Sequence, residues 1–210
     1  VSSARKILTV LALAAGWALI AASSASATSC PNTEVEVSGM GQNQMESSIA
    51  CLINEERTSR GLGAVQPNGD LRDAALSHSN EMVAQQYFEH TSPQGVTFID
   101  RIEATGYMRS ARSWIVGENL VWGTGPLSTP QSLVTAWMNS PPHRENLLKA
   151  RFNEIGVAAV DGTPEGDQGD PGVTVSSEYG FRAGVAKKHK SKAHKKLRKR
   201  HRYKHSKNKK

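Results

Sequence analysis

The apolar positions of this chain change period along its length, and each change marks an element. From Asn43 the spacing is helical. Met45, Ile49, Leu52 and Ile53 share one face, and Gly61 and Gly63 stop the run. A second helix is predicted from about Asp70, with Leu71, Ala74, Ala75, His78 and Met82 at three- and four-residue spacing. Thr91-Ser92-Pro93-Gln94-Gly95 breaks the pattern. A short helix follows, with Phe98, Ile99 and Ile102 predicted inward and Gly106 closing it. Residues 114–122 read as a strand interrupted by Gly117. Ser128-Thr129-Pro130 has the hydroxyl cap and first-turn proline of a helix start, ahead of Leu133, Val134, Trp137 and Met138. Pro141-Pro142 ends that helix and begins a shorter one carrying His143. Residues 155–160 and 173–181 are predicted to pair as strands across an acidic, glycine-rich loop, whose acids lack the spacing of an EF-hand. Helices flanking a small antiparallel sheet give an α+β fold, layered as an α-β-α sandwich around one core.

The two ends follow other rules. Arg5 and Lys6 precede an uncharged apolar run over residues 7–22, and Ala25-Ser26-Ala27 supplies the small residues of a cleavage site. Residues 1–27 therefore read as a signal peptide rather than a membrane anchor, since a spanning helix needs about 20 apolar residues. The protein is expected to be secreted. The two cysteines, Cys30 and Cys51, both follow the cleavage site, and an isolated pair in an oxidising compartment is expected to form a disulfide. Residues 28–42 are polar and read as a leader.

Charge separates the body from the tail. The net charge of +7 conceals 14 of the 26 Lys+Arg, and no acid, within residues 187–210. With Arg5 and Lys6 also set aside, 10 bases face all 19 acids over residues 28–186, a net of −9. The segment 184–210 is too poor in apolar residues to fold alone. Export argues against nucleic acid as its target. Anionic cell-wall polymers or lipid headgroups are the expected partners, against the plainer reading of a solvated tail or one folded back on the acidic body.

The body contains three histidines, His78, His90 and His143. His78, on an apolar helix face, reads as a hydrogen-bonded core residue. His90, where a helix gives way to a turn, and His143, in the first turn of a helix, can face a cleft. Glu118 interrupts an apolar strand. It is either a buried carboxylate with a partner or a surface charge on a half-exposed strand, and spacing alone leaves both open.

Four segments together resemble the CAP superfamily of cysteine-rich secretory, antigen-five and plant pathogenesis-related proteins. They are Asn54-Glu55-Glu56-Arg57, Tyr87-Phe88-Glu89-His90-Thr91-Ser92-Pro93, Gly117-Glu118-Asn119-Leu120, and the stretch from Trp137 through His143 to Leu148, continuing into Glu154-Ile155-Gly156-Val157. Ser176-Ser177-Glu178-Tyr179-Gly180-Phe181 resembles the closing strand. The resemblance covers residues 43–183 and is nearest to the short bacterial members. It implies an α-β-α sandwich with a cleft of two histidines and two glutamates. His90 matches the first histidine, Glu118 the first glutamate and His143 the second histidine. The second glutamate has no counterpart, because Met138-Asn139-Ser140 stands in its place, and Glu145 does not match the motif.

No cofactor is required by these motifs. Two imidazoles, His90 and His143, would hold a divalent metal such as zinc only weakly, since tight zinc sites use three or four protein ligands. There is no serine elbow and no reactive cysteine. The expected function is a secreted binding or structural module, leaning away from an enzyme. A metal-assisted, peptidase-like hydrolase using His90, Glu118 and His143 is the first alternative, and binding of a lipid or small apolar ligand the second.

Overall fold

The computed structural model describes residues 30–166 and 169–184; the signal-peptide and tail expectations lie outside them. Among the described residues the α-helices are α1 (Gln42–Thr58), α2 (Gly69–Gln85), α3 (Phe98–Thr105), α4 (Pro130–Asn139) and α5 (Pro141–Leu147). The strands are β1 (Gln66–Pro67), β2 (Ser113–Thr124), β3 (Glu154–Asp161) and β4 (Gly172–Ala183), in the spatial order β1-β3-β4-β2. β4 lies antiparallel to both β2 and β3. β1 pairs parallel with β3, so the sheet is mixed rather than purely antiparallel. At two residues, β1 is too short to carry any periodic signal.

The caps explain why several helices begin where they do. Asn68 accepts from Leu71 N at the start of α2, and Thr129 accepts from Ser132 N at the start of α4. Thr97 and Asp100 form a reciprocal capping box on α3. α2 stops at Gln85, earlier than the Pro93 turn, because Gln86 takes a left-handed conformation (φ 53°) and its N–H bonds back to Met82 O. In α3, Ile102 is buried but Ile99 is exposed, which corrects the expectation that both face inward. The stripe that α3 presents inward runs through Phe98, Arg101 and Ile102.

Alternation along the strands sets the layers. Ile155, Val157 and Ala159 of β3 and Val173, Val175 and Tyr179 of β4 join Ile49 and Ile53 of α1 and Leu133, Val134 and Trp137 of α4 in the larger core. Gly156, Ala158 and Ser176 face the other way, under α2. A Cβ at Gly156 would collide with the backbone of Leu71 and Arg72, so α2 lies directly on β3. Ile102 and Tyr107 pack with Leu71 and Ala74 on that side. The result is the α-β-α sandwich, with α1 and α4 on one face and α2 and α3 on the other.

Two residues of the Asn54–Arg57 segment hold this frame. Asn54 exchanges two hydrogen bonds with the backbone of Val65, at 3.1 and 2.8 Å. Arg57 is buried and donates to four carbonyls: Gly63 (3.0 Å), Leu147 (2.7 Å), Lys149 (3.1 Å) and Phe152 (2.9 Å). It thereby ties the end of α1 to the end of α5 and to the approach to β3. The leader also joins the body. Cys30 and Val37 are buried, Ser48 donates to Pro31 O, and Cys30 is bonded to Cys51 of α1.

Two outcomes are expected. Arg57→Met leaves buried carbonyls without donors and should lower unfolding free energy by about 3 kcal/mol, measured by denaturant unfolding. Replacing both Cys30 and Cys51 by Ser should cost roughly 3 kcal/mol, given the short loop the disulfide closes, and non-reducing mass spectrometry of the native protein should find no free thiol.

Candidate functional site

The edge strand β2 carries the first component. Glu118 points to the α2–α3 side of the sheet, and its side chain is fully removed from solvent. A buried carboxylate persists as an anion only with strong partners, and Glu118 has them. His90 Nδ1 donates to Oε1 at 2.7 Å, and Arg101 Nη2 of α3 donates to Oε2 at 2.8 Å. Burial pushes the Glu118 carboxyl up, but its hydrogen bond with His90 and the charge of Arg101 count against this and it is held below the usual range. Of the two readings left open by spacing, the buried, partnered one is observed.

Arg101 does more than neutralise charge. It also donates to His90 O (2.9 Å) and Val96 O (3.1 Å), fixing the backbone of the loop that presents His90. The His90 ring is half exposed, and its bond to Glu118 raises its basicity. Because Nδ1 is committed to Glu118, Nε2 is the nitrogen left for a ligand. His78 behaves as a core residue. It is fully buried, Nε2 bonds Glu89 O at 3.0 Å, and desolvation depresses its pKa, so it stays neutral 3.9 Å from Glu118.

The second wall comes around the sheet edge from the other face. Asn119, next to Glu118, donates to His143 O at 3.0 Å, and Asn146 of α5 donates to Glu118 O at 3.0 Å and Asn119 Oδ1 at 3.1 Å. Gly117 is required here, because a Cβ would collide with the Asn146 amide. α5 is thus clamped on β2, and His143 lies across the gap from His90. Partial burial, then the charge of His90, lowers the His143 pKa. His90, Glu118, His143, Glu145, Asn146 and Lys149 line a cleft of about 280 Å³. The three residues singled out in the sequence converge on it, and Glu145 joins its wall. A larger hollow of about 740 Å³ lies beside the 161–172 loop, away from this chemistry.

Glu178 of β4 escaped sequence reasoning. It stands directly opposite Glu118 in the β2–β4 register and is completely buried. Burial, together with the Glu118 charge, raises its pKa well above the usual carboxylate range. It follows Thr174 and Ser176 on one strand face, a polar stripe that reads in the sequence as a solvent face and so gave no signal of burial.

The donors do not fit a tight zinc site. Among the described residues, no three His, Cys, Asp or Glu ligand atoms at the cleft lie within 4.8 Å of one another; the one such group is Cys30, Cys51 and Glu55, whose sulfurs form the disulfide. No serine, threonine or cysteine lines the cleft.

The model of the cysteine-rich secretory protein family, CAP, matches residues 51–179, more than half of the chain. The chain belongs to this family. Among CAP relatives, Bacillus subtilis YkwD, described as an uncharacterized protein, is 34% identical over 116 residues, covering 55% of this chain and 42% of that protein. YlbC, described as an uncharacterized membrane protein of the same organism, is 30% identical over 118 residues, covering 55% and 32%. The chain therefore spans less than half the length of these curated relatives. An SCP-domain protein from Bacillus anthracis, described as extracellular, superposes with a TM-score of 0.54 at 25% identity, over 66% of this chain and 40% of that one. An outer surface protein of Borrelia burgdorferi shares the CAP fold with a TM-score of 0.55 at 22% identity, over 68% and 96%.

The site makes a pH-dependent prediction. His90 titrates above its unfolded value, so its ion pair with Glu118 stabilises fully below about pH 6.5 and is lost as pH rises through the folded pKa. Glu118→Gln should return the His90 titration, followed by NMR, toward the ordinary range. It should also destabilise the fold by about 3 kcal/mol near pH 6, by leaving Arg101 buried without its counter-charge. This loss should shrink as pH rises past the wild-type His90 pKa.

Proposed function

We propose that the protein is an extracellular binding module, with a cleft that takes a polar ligand and a basic C-terminal segment that attaches it to anionic wall polymers. The observation that carries this reading is the composition of the cleft. It offers imidazole, amide, ammonium and carboxylate groups around a fixed His90–Glu118 pair and, among the described residues, no serine, threonine or cysteine and no three clustered metal-ligand atoms. Such a surface recognises hydrogen-bonding groups of a saccharide or peptide. The disulfide supports an oxidising location, as does the extracellular description of the Bacillus anthracis protein. The excess of positive charge over residues 187–210, set against an acidic body, supports attachment by charge.

One observation favours a second reading, a hydrolase. His90 is oriented by a buried carboxylate, the arrangement of a general base with its partner, and a water held between His90 and His143 would be the nucleophile. The readings separate on turnover. Full-length protein mixed with solubilised wall glycan and wall peptide should bind stoichiometrically and release no product, and His90→Ala with His143→Ala should abolish the binding. Product formation lost in the same variants would establish the hydrolase instead.

Attachment by charge is tested on isolated cell wall. The full chain should bind in dilute buffer and elute near 1 M salt, where the Debye length falls to about 3 Å. A chain ending at Ala186 should keep its thermal transition and stay in solution. Retention of that shortened chain would move the attachment surface into the CAP domain.

A further inference from the structure

Glu178 is a fully buried carboxyl group that the cleft chemistry above does not use. Among the described residues, neither of its oxygens has a hydrogen-bond donor in its surroundings. Its neighbours can be named from every element packed on it. Across β2 is Glu118, in direct register. Across β3 is Gly156, which offers no side chain. From α3 comes Arg101, whose Nη1 and Nη2 donate to Val96 O, His90 O and Glu118 and whose Nε is buried without reaching Glu178 or any other acceptor. From α2 comes His78, whose ring bonds Glu89 O and Tyr87. Tyr179, adjacent in sequence, points to the opposite face, where Ser177 Oγ contacts its hydroxyl at 3.3 Å.

Two ionised carboxylates cannot hydrogen-bond each other, and a second buried anion here would have no counter-charge. One proton shared by the pair removes both problems. It belongs on Glu178, because Glu118 already accepts from a cationic guanidinium and from His90, whereas Glu178 accepts from nothing. We propose that Glu178 is a neutral carboxylic acid that donates to Glu118 and serves as a positioning residue for His90. With Glu178 donating, the Glu118 carboxylate is held from three sides: Arg101, Glu178 and His90. It cannot rotate away, so the His90 Nδ1–H bond persists in either charge state of the ring, and Nε2 remains the atom presented to the cleft. The buried cluster of Glu118, Arg101 and Glu178 is then electrically neutral, and protonation of His90 is controlled by a single negative charge instead of two. The electrostatics of Glu178 agree, since burial and the Glu118 anion both favour its neutral form.

The inference rests on the reading that His90 is a cleft group, but its test requires no ligand and so fails or succeeds independently of the proposed function. The probes are the full chain and its Glu178→Gln and Glu178→Met variants. Gln is a neutral isostere whose amide can still donate to Glu118. If Glu178 is neutral, Gln leaves the NMR titration of His90 and its ring tautomer unchanged. The infrared difference between wild type and the Gln variant should show one protonated carboxyl band, shifted in deuterated water. Met removes the donor, so Glu118 becomes a better acceptor and the His90 titration moves upward. The contribution of Glu178 to stability should fall as pH rises above about 4.5, because the folded state keeps a proton that the unfolded state releases, so wild type should lose stability relative to the Gln variant over that rise. A downward shift of the His90 titration in Glu178→Gln overturns the proposal, since it means that wild-type Glu178 is ionised. That arm decides the matter even if Glu178→Met does not fold.

Discussion

A carboxylate without water is the constraint around which this molecule is arranged. The cost of desolvating Glu118 is several kcal/mol unless donors replace the lost solvent. Arg101 and His90 supply them from two different segments, α3 and the loop after α2. The consequence is conformational. Neither segment can drift without stranding a buried charge, so the loop bearing His90 is held by the sheet it crosses. Arg101 reinforces this by bonding the same loop's backbone at His90 and Val96. What is gained is a fixed imidazole orientation more than net stability, since a well-packed aliphatic cluster would stabilise the sheet as much or more.

The position of β2 at the sheet edge turns that fixed imidazole into a cleft. An interior strand would have neighbours on both sides, and groups from opposite faces could not meet. At an edge, the loop after α2 reaches the strand from one face and α5 from the other. Asn119 and Asn146 close the second contact, and Arg57 braces α5 from behind through the carbonyls of Leu147 and Lys149. Asn54 and Arg57 are therefore frame residues. Arg57 influences the site through the position of α5, and Asn54 fixes the Val65 segment ahead of β1, although neither lines the cleft.

Much of this was legible in the chain. Period, caps and breakers placed the five helices and the three long strands, because each is long enough, or sharply enough capped, to leave a pattern. His90, Glu118 and His143 were legible through motif resemblance, since residues 28 and 25 positions apart have no local spacing that betrays convergence. The misses have physical causes. β1 has two residues and exists only because β3 is beside it. Ile99 faces outward because the inward stripe of α3 runs through Phe98, Arg101 and Ile102, with Arg101 drawn in by Glu118. Glu178 was hidden by the same rule that made Glu118 visible. A single acid in an apolar strand stands out, but an acid after Thr174, Ser176 and Ser177 looks like the solvent face of a half-exposed strand. Only tertiary packing shows that the face is covered by α2.

That covered face runs against what stability alone would select. Thr174, Ser176 and Glu178 on β4, Glu118 on β2, His78 and Ser79 on α2 and Arg101 on α3 are all buried in one layer of the sandwich. The opposite layer has Ile49, Leu133, Trp137 and Val175 at its centre, and its buried polar groups, among them Ser48 and Arg57 of α1, Asn119 and Ser177, include no carboxyl pair. The two faces of one sheet thus differ in where their buried charge lies. A core needed only for folding is best made apolar and interlocked, whereas a polar core must satisfy every group or lose stability at each unsatisfied one. Sequences depart from the stable solution where geometry serves another end. Here the departure lies beneath a single imidazole, and it extends inward from His90 through Glu118 to Glu178. The buried polar cluster is therefore best understood as the support of that imidazole's orientation, and the apolar clusters on both faces as what stabilises the fold against its cost.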